Sequence, residues 1–328
     1  MKVTNILKTI SLVTVGALFV TQASATELVL KFGHVGKPGS LFEASANEFA
    51  RLANAKMAGK ARVDVFGSSQ LGKDKELLKK LKLGTVNFAL PSSVMASQVG
   101  EFGMFDMPYL VKDRAHMAKI EKEIVRPTLL PIAEKKGLKI LALWENGFRH
   151  ITNNKHPIDV PGDLAGIKLR TPSSVWRVKM FKAYGANPSP LSFSEVFVAL
   201  QTGTFDGQEN PFAQIASAKF QEVQKYLSLT GHVYTPAYIT ASTKHFAKLP
   251  ADVQKALIEA AEETQAFVYK KAAALETSLL AELKAGGMQV NTANKAAFIK
   301  ASDKIYKEFA DTVKGGGPLV AKAMALAN

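Results

Sequence analysis

The organisation of this chain is easiest to see in residues 144–212, which read WENGFRHITNNKHPIDVPGDLAGIKLRTPSSVWRVKMFKAYGANPSPLSFSEVFVALQTGTFDGQENPF. Arg149 follows a Gly-Phe pair, Arg170 ends an apolar run typical of a strand, and Asn210 lies in a predicted turn. A guanidinium offers two parallel N–H donors at the spacing of a carboxylate, and an amide offers a donor and an acceptor. The stretch therefore predicts a carboxylate site, provided that the fold brings the three groups together.

The start of the chain has the pattern of a secretory signal peptide. Lys2 and Lys8 give a positive start, residues 10–20 are mostly apolar, and Ala-Ser-Ala at 23–25 matches a small-x-small cleavage site. The apolar run is about half of the ~20 residues that a membrane-spanning helix needs. The chain has no cysteine, which excludes a lipoprotein signal and agrees with export into an oxidising compartment. We therefore expect residues 1–25 to be removed by cleavage after Ala25.

Length and charge limit the number of lobes and the kind of partner. Cleavage leaves 303 of the 328 residues, which is enough for two lobes of ordinary size. It removes two lysines and no acid, so the formal charge falls from +14 to +12. Such a charge invites a nucleic-acid interpretation, but most lysines alternate with apolar positions on predicted helices, as at residues 75–84. No RNA- or DNA-binding motif is visible, so we expect no nucleic-acid partner.

Strand and helix patterns alternate at the start of the mature chain. The predicted elements are strand 28–33, helix 42–53, strand 61–66, helix 73–83 and strand 86–90. Ser40 is placed to cap the first helix, and Gly84 lies where a left-handed cap belongs. This alternation predicts an α/β lobe with a largely parallel sheet.

A further strand is predicted at 139–144, and a second α/β lobe follows it. Its predicted elements are strand 167–170, helix 174–184, helix 196–202 behind a capping box at 192–195, a short strand or turn at 205–208, and β segments within 226–238. A helical pattern then runs from Pro250 without an internal Gly or Pro as far as Gly286. At ~1.5 Å per residue such a helix is ~50 Å long, which exceeds one lobe. We therefore expect it to lie along both lobes.

The polar groups of the opening stretch fall at the predicted ends of strands. Open α/β sheets bind ligands just beyond the carboxyl ends of their strands, where Arg170, Arg149 and Asn210 are expected to emerge. For any single arginine, a surface ion pair is the alternative to a ligand site. With three polar groups at equivalent strand ends, the ligand site and the surface ion pair are equally well supported. Phe193 and Phe212 lie nearby in the chain and fit either an apolar wall of the site or ordinary core packing.

Motifs of enzyme chemistry are missing from the sequence. The absence of cysteine excludes thiol chemistry, and there is no G-x-S-x-G or H-E-x-x-H motif. The six histidines never pair at the i, i+4 spacing of a helical metal site, and no glycine-rich phosphate loop follows a strand. Glu195 and Glu209 are assigned to a helix cap and a turn. We therefore expect no catalytic residues, no metal and no cofactor.

Several short motifs, taken together, resemble a known family. They are SQLG at 69–72, FDMPY at 105–109, NGFR at 146–149, DLAGIKLR at 163–170, YGANP at 184–188, FSEV at 193–196, ALQTG at 199–203 and DGQENP at 206–211. Their order and spacing resemble the signature of solute-binding proteins of tripartite ATP-independent periplasmic (TRAP) transporters, of the C4-dicarboxylate-binding type. The resemblance covers nearly the whole mature chain.

The resemblance implies the fold and its division. It implies a two-lobed α/β periplasmic binding protein of the class II type, with a hinge and a long helix that crosses both lobes. We expect residues 26–146 and 236–275 to form lobe I, and residues 147–235 and 276–328 to form lobe II.

The resemblance also implies roles for the candidate residues of lobe II. Arg170 is expected to make a two-point salt bridge with a ligand carboxylate. Arg149 and Asn210 are expected to make supporting polar contacts, and Phe193 to lie under the ligand. Phe212 is included as a further candidate for the apolar wall.

Lobe I is expected to contribute more variable contacts, from His34 or Val35, from Asp74 and from Ser92. Sialate-binding members of the family carry a glutamate and an arginine where this chain has Ser92 and Met95, which argues against sialic acid. A smaller organic acid fits better. A C4-dicarboxylate, a sugar acid and an aromatic acid all remain open.

These inferences lead to one main hypothesis and two alternatives. The main hypothesis is a monomeric periplasmic receptor that captures an organic acid and delivers it to the membrane subunits of a TRAP permease, with uptake driven by an ion gradient. The first alternative is a periplasmic binding subunit that feeds a sensor. The second is a periplasmic enzyme acting on an organic acid, which is supported only by export and a predicted cleft.

Overall fold

The computed structural model describes residues 27–327, so the predicted signal peptide and its cleavage site lie outside the described residues. The strands are β1 (Leu28–Gly33), β2 (Ala61–Phe66), β3 (Phe88–Ala89), β4 (Leu138–Phe148), β5 (His150–Asn153), β6 (Lys168–Thr171), β7 (Asn187–Pro190), β8 (Gly207–Asn210), β9 (Tyr226–Leu229), β10 (Tyr234–Ser242) and β11 (Gln289–Thr292). The α-helices are α1 (Leu41–Met57), α2 (Asp74–Leu83), α3 (Arg114–Ile120), α4 (Leu130–Lys135), α5 (Val175–Ala183), α6 (Val196–Gln201), α7 (Phe212–Ser217), α8 (Thr243–Phe246), α9 (Ala251–Ala285), α10 (Lys295–Lys300), α11 (Asp303–Thr312) and α12 (Gly316–Ala325).

The first sheet has the strand order β2-β1-β3-β10-β4. Strand β1 is parallel to β2 and β3, as the alternation of strands and helices predicted. Strand β10 is antiparallel to both β3 and β4, so the sheet is mixed. The difference arises because β10 is not part of a strand–helix–strand unit: it enters this sheet directly from a strand of the other one.

Local sequence accounts for the elements of this lobe. The Ser40 side chain accepts a hydrogen bond from Glu43 N at 3.1 Å and so caps α1, while Gly84 ends α2 at φ +76°. Helix α1 covers the sheet by inserting Phe49 between Phe88 (ring centroids 5.6 Å apart) and Trp144 (5.9 Å). Each such ring, fully buried, contributes about 1.5–3 kcal/mol.

The second sheet has the strand order β11-β9-β5-β8-β6-β7. Strand β6 is parallel to β7 and β8, whereas β5 is antiparallel to β8 and β9. Asn210 and Glu209 were predicted to lie in a turn, which was wrong, because both belong to strand β8 and Asn210 pairs with His150. The run Gly-Gln-Glu-Asn has no apolar residue to reveal a strand. It is nevertheless buried, because its polar groups find partners inside the protein.

Two strand-to-strand connections join the sheets. Strand β4 ends in the first sheet and β5 begins in the second, with only Arg149 between them. The register of β4 against β10 skips Asn146, since Thr235 pairs with Gly147 and Pro236 with Glu145. Such a bulge redirects the unpaired side chain and bends the strand. Residues 230–233 make the second connection, between β9 and β10.

The long helix α9 has 35 residues, as the uninterrupted pattern predicted. It packs on α1 and β4 of the first lobe and on α7 of the second, so it links the two lobes. Trp144 Nε1 donates to Ala261 O of this helix at 3.0 Å. Among residues 27–327, no helix combines the length and the apolar composition that crossing a bilayer requires.

The C-terminal helices continue beyond β11. Helix α11 packs on α5 of the second lobe, and α12 contacts the π-helical stretch Glu121–Leu129 that follows α3. His116 Nε2 lies 2.8 Å from Ala323 O, between α3 and α12. The C-terminal residues thus touch both lobes, and the exact division of the chain into lobes stays a prediction.

Candidate functional site

The cleft between the two sheets holds a cavity, the inner cavity, with about 380 Å³ of empty space when the part open to solvent is included. It is lined by Val35, Phe42, Asp74, Ser92, Ser93, Asn146, Arg149, Arg170, Pro172, Phe193, Asn210 and Gln214. A second space of about 680 Å³, the outer chamber, shares four of these residues: Asp74, Ser92, Arg170 and Pro172. The fold thus brings together six of the eight candidate residues. Three of the six, Arg149, Arg170 and Asn210, lie in or next to strands of the second lobe.

Two candidates do not line the inner cavity. His34 is buried, and neither of its ring nitrogens has a hydrogen-bond partner among the described residues. Its neighbour Val35, the stated alternative, does line the cavity. Phe212 stacks on His150 with ring centroids 4.4 Å apart and lines a separate cavity of about 300 Å³ beside α9. The predicted apolar contact therefore falls to Phe193 and Phe42.

Arg170 lies in β6 and is buried without an acidic partner. Its Nε and Nη2 donate to Leu191 O at 2.8 and 2.6 Å, and it makes no salt bridge with any described residue. Burial, followed by the nearby charge of Arg149, lowers the pKa of Arg170 to about 10. The guanidinium is therefore still charged at neutral pH. A buried cation without a carboxylate in direct contact is unfavourable, so this position favours an anionic ligand.

Asp74 is the first residue of α2 and lines the inner cavity from the first lobe. Burial raises the pKa of this carboxyl to about 6, while the positive charge of Arg170 lowers it in part. The two side chains thus interact across the cleft. At neutral pH the Asp74 carboxylate can accept hydrogen bonds but would repel a ligand's carboxylate placed beside it.

Arg149, between β4 and β5, is held by Glu209 of β8. Its Nε lies 2.5 Å from Glu209 Oε2, and its Nη2 donates to Oε1 at 2.9 Å and to the Glu209 carbonyl at 2.6 Å. Arg177 Nη1 lies 2.7 Å from the same carboxylate, and His232 Nε2 lies 3.0 Å from it. Although burial raises the pKa of Glu209, the charges of Arg149 and Arg177 outweigh it and hold that pKa well below its usual range.

The same charge network reaches the first lobe. Arg177 of α5 donates to Asp106 Oδ1 at 2.6 Å, and Ser174 also donates to Asp106. Asp106 ends the 3-10 helix Gly100–Asp106, which packs on β10. Sequence reasoning missed this network, because Asp106 and its partners Ser174 and Arg177 lie far apart in the chain. A lone acid within Phe-Gly-Met-Phe-Asp-Met-Pro was the available signal, since such an acid needs a buried partner.

Two amides of the cavity were also missed, Asn146 and Gln214. Ser92 Oγ donates to Pro236 O at 2.7 Å, Asn146 Nδ2 donates to Ser92 Oγ at 3.2 Å, and Gln214 Nε2 donates to Asn146 Oδ1 at 3.2 Å. Asn146 reaches the cavity because it is the bulged residue of β4, which a sequence pattern does not show. Among the described residues, no group of three or more metal-ligating side chains is placed to hold a metal ion.

Two α/β lobes joined by crossing strands and a shared helix, with a buried arginine that makes no salt bridge to a described residue in the cleft between them, define a two-lobed ligand-binding protein. Residues 32–312 match the model of the family described as bacterial extracellular solute-binding protein, family 7. The chain belongs to this family. Its members are substrate-binding proteins of TRAP transport systems.

Individual relatives agree with this assignment. The chain is 34% identical over 307 residues to the 2,3-diketo-L-gulonate-binding periplasmic protein YiaO of Escherichia coli, covering 93% of each protein. It is similar to a TRAP periplasmic solute-binding protein of Polaromonas sp. JS666 bound to D-erythronate, with a TM-score of 0.87, 36% identity and coverage of 91% and 99%. It is equally similar to one of Sulfurospirillum deleyianum with bound succinate, with a TM-score of 0.87, 36% identity and coverage of 92% and 100%.

Proposed function

We propose that this protein captures a small organic acid in the periplasm through the Arg170 guanidinium and delivers it to a TRAP permease. The observation that carries the proposal is the burial of Arg170 in the cleft, where the Leu191 carbonyl is its only hydrogen-bond partner among the described residues. A planar guanidinium is well suited to two-point recognition of a carboxylate. Relatives that bind 2,3-diketo-L-gulonate, D-erythronate and succinate support an acid as the ligand.

Closure of the lobes explains how binding serves transport. Arg170 and Asn210 belong to the second lobe, whereas Asp74 and Ser92 belong to the first. A ligand that contacts both sets binds the closed form more tightly than the open one, so it shifts the population toward closure. The closed shape is then what the permease recognises, and an ion gradient across the inner membrane drives uptake.

Calorimetry with a panel of organic acids tests this proposal. We expect an acid that binds the wild type to lose affinity by about 100-fold or more in Arg170→Ala, since a charged pair is broken in a water-poor site. Arg51→Ala is the matched control, because Arg51 is exposed and pairs only with Glu48 of its own helix. An unchanged affinity in Arg170→Ala would remove the assigned role.

Two other functions share the same site. A binding subunit that feeds a sensor would capture the same acid, and uptake of that acid by cells with and without the gene separates sensing from transport. An enzyme would convert the acid, which NMR of the ligand with the purified protein alone would reveal. The family supports transport, so we expect no turnover and loss of uptake.

Export and oligomeric state complete the proposal. The family is extracellular, and we propose that the signal peptide is cleaved after Ala25. Mass spectrometry of the periplasmic protein should therefore find Thr26 as its first residue. We further propose a monomer without nucleic acid, for which light scattering after size exclusion and the absorbance ratio of the purified protein are the checks.

A further inference from the structure

The fold fixes which end of the Gln214 side-chain amide donates a hydrogen bond and which end accepts one in the inner cavity. From this we infer that the bound acid carries a hydroxyl group that donates a hydrogen bond to Gln214, so that the ligand is a hydroxylated monocarboxylate of the sugar-acid kind. The inference rests on the carboxylate site proposed above and specifies the rest of the ligand.

The polarity is set from the far end of a hydrogen-bonded chain. The Pro236 carbonyl can only accept, so Ser92 Oγ, 2.7 Å away, must donate its one proton to it. Ser92 can then only accept from Asn146, which turns Nδ2 toward it (3.2 Å) and Oδ1 toward Gln214. Gln214 must therefore donate through Nε2 (3.2 Å), and its Oε1 is left over. A flip of either amide would place two acceptors face to face.

The remaining oxygen, Gln214 Oε1, has no hydrogen-bond partner among residues 27–327. Gln214 lines the inner cavity and is 3% exposed, and its Oε1 is buried without a hydrogen bond. A buried acceptor left unpaired is costly, and a ligand group that donates to it removes that cost. A hydroxyl can donate, whereas an ionised carboxylate and a methyl group cannot.

A second chain of hydrogen bonds has the same direction. Gln224 Nε2 donates to the Asp206 carbonyl at 3.3 Å, Thr152 Oγ1 donates to Gln224 Oε1 at 2.9 Å, and Gln208 Nε2 donates to Thr152 Oγ1 at 2.9 Å. Asn210 Nδ2 then donates to Gln208 Oε1 at 2.6 Å. The carbonyl at its start again fixes the amides, so Asn210 Oδ1 is available at the cavity as a second acceptor.

The charges that line the inner cavity exclude a second carboxylate there. Of the described residues that line it, the cations are Arg149 and Arg170, and Arg149 is already paired with Glu209. Asp74 adds a negative charge. One carboxylate of the ligand therefore saturates Arg170, while a second would lack a cation and face Asp74. Lys73 and Lys75 line only the outer chamber.

Matched ligand series test the inference by isothermal titration calorimetry. The four-carbon series is butyrate, 3-hydroxybutyrate, D-erythronate and succinate, and the six-carbon series is hexanoate, D-gluconate and adipate. We expect the polyhydroxylated acid of a series to bind wild type about tenfold or more tighter than the plain acid and the diacid of that length. In Gln214→Leu, which keeps the volume and removes the acceptor, this preference should fall to within about threefold.

The control is Gln221→Leu. Gln221 also has a buried, unpartnered Oε1 but does not line the cavity, so its replacement should leave the preference as in wild type. The inference is overturned if a diacid or plain acid binds wild type as tightly as its hydroxylated counterpart, or if Gln214→Leu keeps the preference. Should that variant not fold, the wild-type series decides alone. If Arg170→Ala instead bound these acids as tightly as wild type, the carboxylate site itself would be refuted.

Discussion

Arg149 and Glu209 are joined by three hydrogen bonds, two to the carboxylate and one to the backbone carbonyl of Glu209, with distances of 2.5 to 2.9 Å. Arg149 is the single residue between β4 and β5, and Glu209 lies in β8 of the second sheet. The contact therefore anchors the point at which the chain passes from one lobe to the other. It also uses most of the hydrogen-bonding capacity of Arg149, which leaves Arg170 as the main group for an anionic ligand.

Replacing Glu209 should be strongly destabilising. Glu209→Gln removes the charge that compensates both Arg149 and Arg177, and breaking a buried ion pair costs about 3–5 kcal/mol. Thermal or urea unfolding measures the loss. Glu48→Gln removes a half-buried carboxylate whose partner Arg51 is exposed, and it should change stability by less than about 0.5 kcal/mol. Equal effects of the two changes would contradict the role given to Glu209.

Charge alone should not suffice at position 170. We expect Arg170→Lys to weaken acid binding by about tenfold or more, because an ammonium cannot make the paired contacts of a guanidinium. The substitution also loses the two bonds to Leu191 O that orient the Arg170 side chain. Calorimetry with an acid that binds wild type gives the ratio, and wild-type affinity in the Arg170→Lys variant would speak against two-point recognition.

The stability of the protein should fall as the pH drops below neutral. Burial lowers the pKa of His232 to about 4 from its ordinary value of 6.5, although Glu209 raises it in part. The unfolded chain therefore binds a proton that the folded protein does not, and the contribution of His232 is complete above pH 6.5 and lost as the pH falls toward 4. The slope of stability against pH gives the number of protons taken up on unfolding. Between about pH 6.5 and 4.5, this number should be lower by about one in His232→Gln than in wild type. An unchanged slope would show that His232 is charged in the folded protein.

An exposed ion pair links the two lobes beside the outer chamber. Lys73 Nζ of the first lobe lies 2.8 Å from Glu195 Oε1 of the second. We expect Glu195→Lys to weaken acid binding by roughly two- to fivefold at low salt, since the two lysines then oppose closure, and by less at high salt because exposed charges are screened. Glu48→Lys changes the net charge equally, but Glu48 lines neither the inner cavity nor the outer chamber, so it should have no such effect. Equal affinities for the two variants at low salt would show that the pair does not assist closure.

The turn from β4 toward β5 depends on a glycine. Gly147 has φ +119°, and a Cβ there would lie 3.3 Å from Pro211 Cβ. Gly147→Ala should therefore destabilise the protein by about 1–3 kcal/mol. Gly162→Ala is the control, because an added Cβ meets nothing within 4 Å and the backbone is not in the left-handed region. Unfolding curves compare them, and a Gly147→Ala variant as stable as wild type would show that the strand tolerates an ordinary residue there.

The fold was largely predictable because it is written in local patterns. Alternating strands and helices, the Ser40 cap and the uninterrupted run of α9 each depend on residues close together in the chain. The antiparallel direction of β10 was not predictable in this way, since it depends on the sheet from which the chain returns. Strand β8 was predicted only as a short strand or turn at 205–208, with Glu209 and Asn210 outside it, because its four residues carry no apolar periodicity and are stabilised by distant partners.

The candidate site was predictable only where its residues follow recognisable local patterns. Arg170 and Arg149 were found because each follows a recognisable strand, and the family resemblance added Asp74 and Ser92, all of which line the inner cavity. Gln214 carried no local signal, and Phe212 was near the site in sequence but turned away from the inner cavity.

By itself, the sequence determined that two α/β lobes share a long helix, and it marked arginines at strand ends as candidates for an acid site, because these inferences follow from periodicity and from the chemistry of single residues. Only the tertiary structure decided which arginine is free, since Glu209 pairs with Arg149 and leaves Arg170 without an acid. It also decided which way the amides of the cavity point, because that depends on the Pro236 carbonyl of a strand distant in the chain. A hydrogen-bonded network has a direction only when all of its members are in place.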